Sequence, residues 1–154
     1  MLQLMCYAGD MRFAIPIPNV VEVVARPVFE AIPSAPGWVA GSFVHRGVVT
    51  PVIDFGNLAN LGQARLLWSS RVIVVNCPRE GTVQRIGILF DKANAAQVAD
   101  RAVTQETTPV QILPWGPTLI DENGTYCVLD MAELLSPMRH SQLFPHLDHT
   151  EKGC

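Results

Sequence analysis

The chain has 154 residues, 49% of them hydrophobic and only 16% charged, with a net charge of −3 from 14 acidic and 11 basic side chains. That length sets one domain, or two very small subdomains sharing a core. The scattered, slightly acidic balance lacks the basic stripe of a nucleic-acid binder, and no uncharged run reaches the ~20 residues that span a membrane.

In chain order, Leu2 to Tyr7 reads as a first short strand, turned at Gly9-Asp10, and Arg12 to Ile17 as a second. The opening residues lack a basic start followed by a long apolar stretch, so no signal peptide is expected and the cytoplasm is the expected compartment. Val20 to Ala25 is rich in β-branched residues, which fit a pleated surface. Alternation predicts Val20, Glu22 and Val24 on one face, with Val21 and Val23 on the other. Val28 to Ile32 is a candidate short strand. From Ile32 to Gly62 the chain reads as a Pro/Gly-punctuated entry, two short strands around the turn Arg46-Gly47, and a brief helix over Phe55 to Leu61. Pro51 inside the second of these strands points to a sheet edge or a barrel corner.

After a link over Arg65 to Ser70, Val72 to Val75 is a strand, Pro78 to Gly81 a turn, and Val83 to Phe90 a strand with Ile86, Ile88 and Phe90 on one face. Asp91 to Asp100 fits either a short helix or an exposed strand. Thr104 to Pro117 is a proline-rich connection. Leu119 to Asp121 and Thr125 to Asp130 form a hairpin around Glu122-Asn123-Gly124, and Met131 to Leu135 a short helix. The segment 138–154 is expected to be a flexible tail. About ten short strands with regular turns indicate an all-β barrel or sandwich.

The chain also echoes itself. TPVIDFGNL at 50–58 aligns with YCVLDMAEL at 126–134, and Phe13-Ala14-Ile15 with Ile86-Gly87-Ile88, at offsets of 76 and 73. Two small barrels are therefore expected, the first over roughly 12–66 and the second over roughly 67–136 with the N-terminal strand. Neither alone holds an ample core, so they are expected to pack through apolar faces.

The residue types that can carry chemistry have plainer readings. Asp54 and Asp130 each precede a short helix, where capping is the ordinary task of an aspartate. Cys6, Cys77, Cys127 and Cys154 show no CxxC spacing, and the first three sit in apolar runs as small hydrophobes. His140, His146, His149 and Cys154 match no metal-site spacing, and no glycine-rich phosphate loop is present. No catalytic residue, metal or cofactor is expected. The pointed feature is Arg46 at a hairpin apex, where a guanidinium fork suits a carboxylate or carbonyls of a partner. Gly47 beside it answers the positive φ of a tight turn.

The ordered set Val20-Val21-Glu22-Val23, Pro33-Ser34-Ala35-Pro36, Gly41, His45-Arg46-Gly47, Pro51-Val52-Ile53-Asp54-Phe55, Ile86 to Asp91 and Val128-Leu129-Asp130 through Leu134-Leu135 resembles the CheW-like domain, the coupling module of bacterial chemosensory arrays. The resemblance covers residues 1–137. It implies two SH3-like five-stranded barrels around a shared apolar interface, with internal duplication and short helices. It also implies a non-enzymatic adaptor joining the cytoplasmic tips of chemoreceptors to the regulatory domain of a CheA-type histidine kinase, near the membrane only through the receptors. A scaffold of a type IV pilus or another non-flagellar chemosensory system is the alternative it leaves open. Arg46, Gly47, Gly41, Val20 and Glu22 match family positions tied to partner binding, and Gly87 one near the receptor-tip groove. The family usually has Asn-Leu before Arg-Gly; this chain has Val44-His45.

Overall fold

The computed structural model describes residues 2–25, 27–62, 67–79, 82–94, 97–98 and 116–134. Their strands run β1 (Leu2–Ala8), β2 (Met11–Pro16), β3 (Val20–Ala25), β4 (Val39–His45), β5 (Val48–Asp54), β6 (Arg71–Arg79), β7 (Thr82–Phe90), β8 (Lys92–Ala93), β9 (Gln97–Val98), β10 (Thr118–Asp121) and β11 (Gly124–Val128). A 3₁₀ turn, Ile17–Asn19, sits between β2 and β3, and a single helical turn, α1 (Phe55–Leu58), follows β5. A second helical turn spans 131–134. Both turns begin where a carboxylate accepts free backbone N–H groups. Asp54 accepts from Asn57 N at 3.1 Å, and Asp130 from Ala132 N at 3.0 Å.

Two sheets result, one ordered β10-β11-β2-β1-β8 and the other β3-β6-β7-β5-β4. β9 also pairs with β1. Cys6 faces Ala93 while Gln3 faces Gln97, so β8 and β9 are two pieces of one interrupted edge strand with a one-residue slip between them. The expected all-β fold and its duplication are both present. In one sheet β5 runs parallel to β7 with Val52 beside Gly87, and in the other β11 runs parallel to β2 with Val128 beside Ala14. These are the partners that the two sequence echoes equate.

The two sheets do not divide near 66/67, because each takes strands from both sides of it. Each repeat keeps its first hairpin, β1–β2 or β6–β7, and sends its later strands to the hairpin of the other. Thus β3, β4 and β5 join β6 and β7, while β8, β10 and β11 join β1 and β2. Sequence similarity records the repeats but carries no signal for which hairpin a returning strand will pair with.

The core explains why both sheets need apolar residues on both faces. The largest cluster lies between the sheets and takes Leu4, Cys6, Phe13 and Ile15 from one and Ile73, Val75, Ile86, Ile88 and Phe90 from the other. Phe13 and Phe55 meet edge to face with centroids 4.6 Å apart, and Phe55 lies 4.9 Å from Phe90. Losing one such ring to alanine typically costs about 3–5 kcal/mol. The opposite faces form separate smaller cores, Phe43, Val52, Val72, Val74 and Leu89 in one unit and Met5, Ala14 and Tyr126 in the other. Cys6, Cys77 and Cys127 are buried, and burial pushes Cys127 up to about 11 and Cys6 higher still.

Several local expectations change. Val28 to Ile32 forms no strand; a single bridge, Glu30 with Ser42, joins it to β4. That bridge ties the chain leaving β3 to the far edge of the same sheet. Pro78 lies within the β6–β7 ladder opposite Val83 rather than in a turn. Pro51 lies on an internal strand, but pairing with β7 starts only at Val52, so its missing N–H removes no bond there. Of the segment Asp91 to Asp100, Lys92–Ala93 and Gln97–Val98 are strand. Trp115, most of the Thr104 to Pro117 connection, His140, His146, His149, Cys154 and the 138–154 tail lie outside the described residues.

Candidate functional site

The β4–β5 hairpin turns on two residues, with His45 facing Val48 across the last rung. Both turn residues have positive φ, 50° at Arg46 and 80° at Gly47, the combination a type I′ turn requires. Glycine adopts that conformation freely, and asparagine is the usual companion. Arginine there is strained by ~1 kcal/mol or more, which is a reason to look for a role.

Arg46 is 62% exposed, and its Nη2 lies 3.4 Å from Glu22 Oε2 on β3. The same carboxylate oxygen is hydrogen-bonded to His45 Nε2. His45 is buried at 5% exposure beneath the turn, its ring 6.0 Å from that of Phe43. On its other side Arg85 Nη1 of β7 lies 3.5 Å from His45 Nδ1. The hydrogen bond from His45 holds the Glu22 carboxyl below the usual carboxylate range, and the charges of Arg46 and Arg85 add to it.

Of the residues expected at a partner surface, the structure brings Glu22, Arg46 and Gly47 together. It separates the others. Val20 packs toward the inter-sheet core. A β-bulge between Val20 and Glu22 breaks the alternation expected for β3, so Val21 and Val24 share one cluster and Val23 is exposed. Gly41 lies at a bulge in β4, where an added Cβ would sit 2.6 Å from Glu30 O. Gly87 lies inside its sheet's small core, where an added Cβ would meet Val72 Cγ1 at 2.6 Å and Val52 Cγ2 at 3.1 Å.

Sequence reading passed over His45 and Arg85 as members of this group. Alternation held the signal, because His45 follows Phe43 by two and Arg85 lies opposite in phase to Ile86 and Ile88. It also passed over the apolar flank of the hairpin. Val44 and Val49 face each other across it at 67% and 52% exposure, beside the exposed Val48. A cation set among exposed valines can contribute a charged anchor with a water-excluding surround.

Residues 3–138 match the family model of the CheW-like domain. The chain belongs to the CheW-like domain family. Among curated proteins, this CheW-like chain is 35% identical to FrzA of Myxococcus xanthus over 66 residues, 43% of this chain and 41% of that relative. It thus spans about two fifths of the length of the curated relative it matches. Among solved structures it is similar to the scaffolding protein TtCheW of Thermoanaerobacter tengcongensis, with a TM-score of 0.68 at 19% identity, covering 84% of this chain and 88% of that one. That likeness gives the two sheets the form of paired SH3-like barrels, with the CheW-like hairpin turn Arg46-Gly47 on one of them. Among the described residues, no helix is long and apolar enough to cross a membrane.

Proposed function

We propose that this CheW-like protein is a non-enzymatic adaptor that couples the cytoplasmic tips of chemoreceptors to a CheA-type histidine kinase in a chemosensory array. It acts by presenting surfaces, and the Arg46 hairpin is the surface for the kinase regulatory domain. The observation that supports this most is a strained, exposed arginine held at a turn by Glu22 and flanked by exposed valines. Arg46 is the anchor, Glu22 fixes its direction, and Gly47 makes the turn possible. Gly41 and Val20 serve the surface indirectly by shaping β4 and β3, and Gly87 by letting the barrel under the hairpin close.

Co-sedimentation of the purified protein with receptor tips and kinase from the same organism tests the reading. Arg46→Glu is expected to keep the circular dichroism and melting temperature of the parent while binding the kinase regulatory domain ~10-fold or more weakly, the scale of a lost hot-spot residue. A folded Arg46→Glu protein that binds normally sinks it.

A further inference from the structure

The two repeats place an arginine on a central strand and a polar residue at the foot of a hairpin turn, yet they build the pair differently. In one barrel Arg12 of β2 grips Asp121 of β10 with two bonds, Nη1–Oδ2 at 3.0 Å and Nη2–Oδ1 at 2.5 Å. Applying the offsets of the two echoes, 73 and 76 residues, the corresponding places in the other barrel are Arg85 and His45. There the approach is only 3.5 Å, Nη1 to Nδ1. The carboxylate comes instead from Glu22, whose Oε2 serves His45 Nε2 and, at 3.4 Å, Arg46 Nη2. A guanidinium donates and never accepts. The Arg85 contact is therefore a hydrogen bond only while Nδ1 carries no proton, with Nε2 then donating to Glu22.

We propose that His45 is a proton-controlled positioning residue of the hairpin surface, which frees Arg85 for carboxylates of the partner when it takes up a second proton. This rests on the reading of the Arg46 hairpin as a docking surface. A proton taken from water onto Nδ1 turns an acceptor into a donor facing the donors of Arg85, so the half-buried Arg85 swings toward solvent. The now cationic ring binds Glu22 Oε2 more strongly, and the same carboxylate still meets Arg46. Among the described residues, the charged groups recorded against this ring and its carboxylate are Glu22 from β3, Arg85 from β7 and Arg46 from the turn. The neighbouring β5 brings the uncharged Val48 and Thr50. The group thus goes from one net positive charge to two, which favours an acidic partner over a basic one. Asp121 in the other barrel keeps its arginine paired through the same pH range.

Titration calorimetry with the kinase regulatory domain, run between about pH 7.5 and 5.5 where imidazoles change charge, tests this on the parent, His45→Gln and His45→Leu. Glutamine retains a donor for Glu22 and an acceptor for Arg85 but does not titrate, and the partner's own titration is common to all three proteins. Relative to His45→Gln, the parent is expected to tighten ~2- to 5-fold on acidification, the worth of one or two exposed ion pairs. His45→Gln is expected to recover more of the neutral-pH binding than His45→Leu. Equal pH slopes for parent and His45→Gln, or weakening of the parent in acid, overturn the proposal. Nitrogen NMR of the free protein supplies a partner-independent arm. A neutral Nε2-protonated ring that gains its Nδ1 proton together with a shift of the Arg85 side-chain signal supports the switch; an Nδ1-protonated ring at neutral pH overturns it. Should that arm hold while Arg46→Glu binds the kinase normally, the docking reading falls and the proton-driven release of Arg85 stands.

Discussion

Gly41 and Glu30 approach so closely that a single methyl group on Gly41 would stand 2.6 Å from the Glu30 carbonyl oxygen. The contact is part of the bridge in which Glu30 and Ser42 exchange two backbone bonds of 2.8 Å, and it closes the barrel beneath the Arg46 hairpin. Gly41 also has a φ of 144°, a conformation that side chains rarely adopt. Gly41→Ala is therefore expected to destabilise the fold by about 2–4 kcal/mol, through backbone strain plus a clash with main-chain atoms that cannot rotate away. At ~2–4 °C per kcal/mol for a chain of this size, a melting temperature lowered by about 5–15 °C checks it.

Gly87 is expected to behave differently, because what crowds it is side chain. Gly87→Ala forces its methyl against Val72 Cγ1 and Val52 Cγ2 in an already filled core, and overpacking of this kind costs about 1–3 kcal/mol. Adding Val72→Ala removes the nearer atom, so the double variant is expected to be more stable than the sum of the two single changes predicts. Urea unfolding of the four proteins of the cycle measures the coupling. Strict additivity would place the importance of Gly87 somewhere other than packing.

Arg46 separates stability from function. Asparagine tolerates the left-handed turn conformation better than arginine does. Arg46→Asn is expected to leave stability unchanged or raise it by ~0.5 kcal/mol, while kinase binding falls as it does for Arg46→Glu. Thermal melts beside a binding titration decide the matter; a variant less stable than the parent would mean that Arg46 is kept for the fold.

The bidentate pair of Arg12 and Asp121 makes stability depend on pH in a definite direction. The hydrogen bond from Arg12 holds the Asp121 carboxyl below its ordinary range, which is about 3.9 in an unfolded chain. A depressed folded value means that the stabilisation is complete above that unfolded value and is lost as pH falls through the lower folded one. Asp121→Asn is therefore expected to cost ~1 kcal/mol at neutral pH, kept modest because the carboxylate still meets water. The gap between variant and parent is expected to close progressively below about pH 4 in chemical denaturation.

Sequence alone carries the strands, the duplication and the Arg46-Gly47 turn, because each is written in local features: alternation over Val83 to Phe90, the paired Asp54 and Asp130 caps, and a glycine after the turn arginine. What it cannot carry is pairing over long separations. The exchange of strands between repeats follows from which edges meet in space, as does the meeting of Glu22, His45 and Arg85 from three different strands. The β3 bulge is also unmarked, since valine suits either face and Val20 to Val24 offers little polar contrast to fix the phase.

The crossing of strands between the two repeats has a consequence for how the molecule can come apart. A chain cut between 62 and 71 would yield two pieces, each holding the first hairpin of one sheet and the later strands of the other. Neither piece could build a barrel by itself, and each would need the other to build either. A tug on the hairpin that carries Arg46 is thus borne by the half of the sequence it does not belong to, and the two barrels live or melt as one.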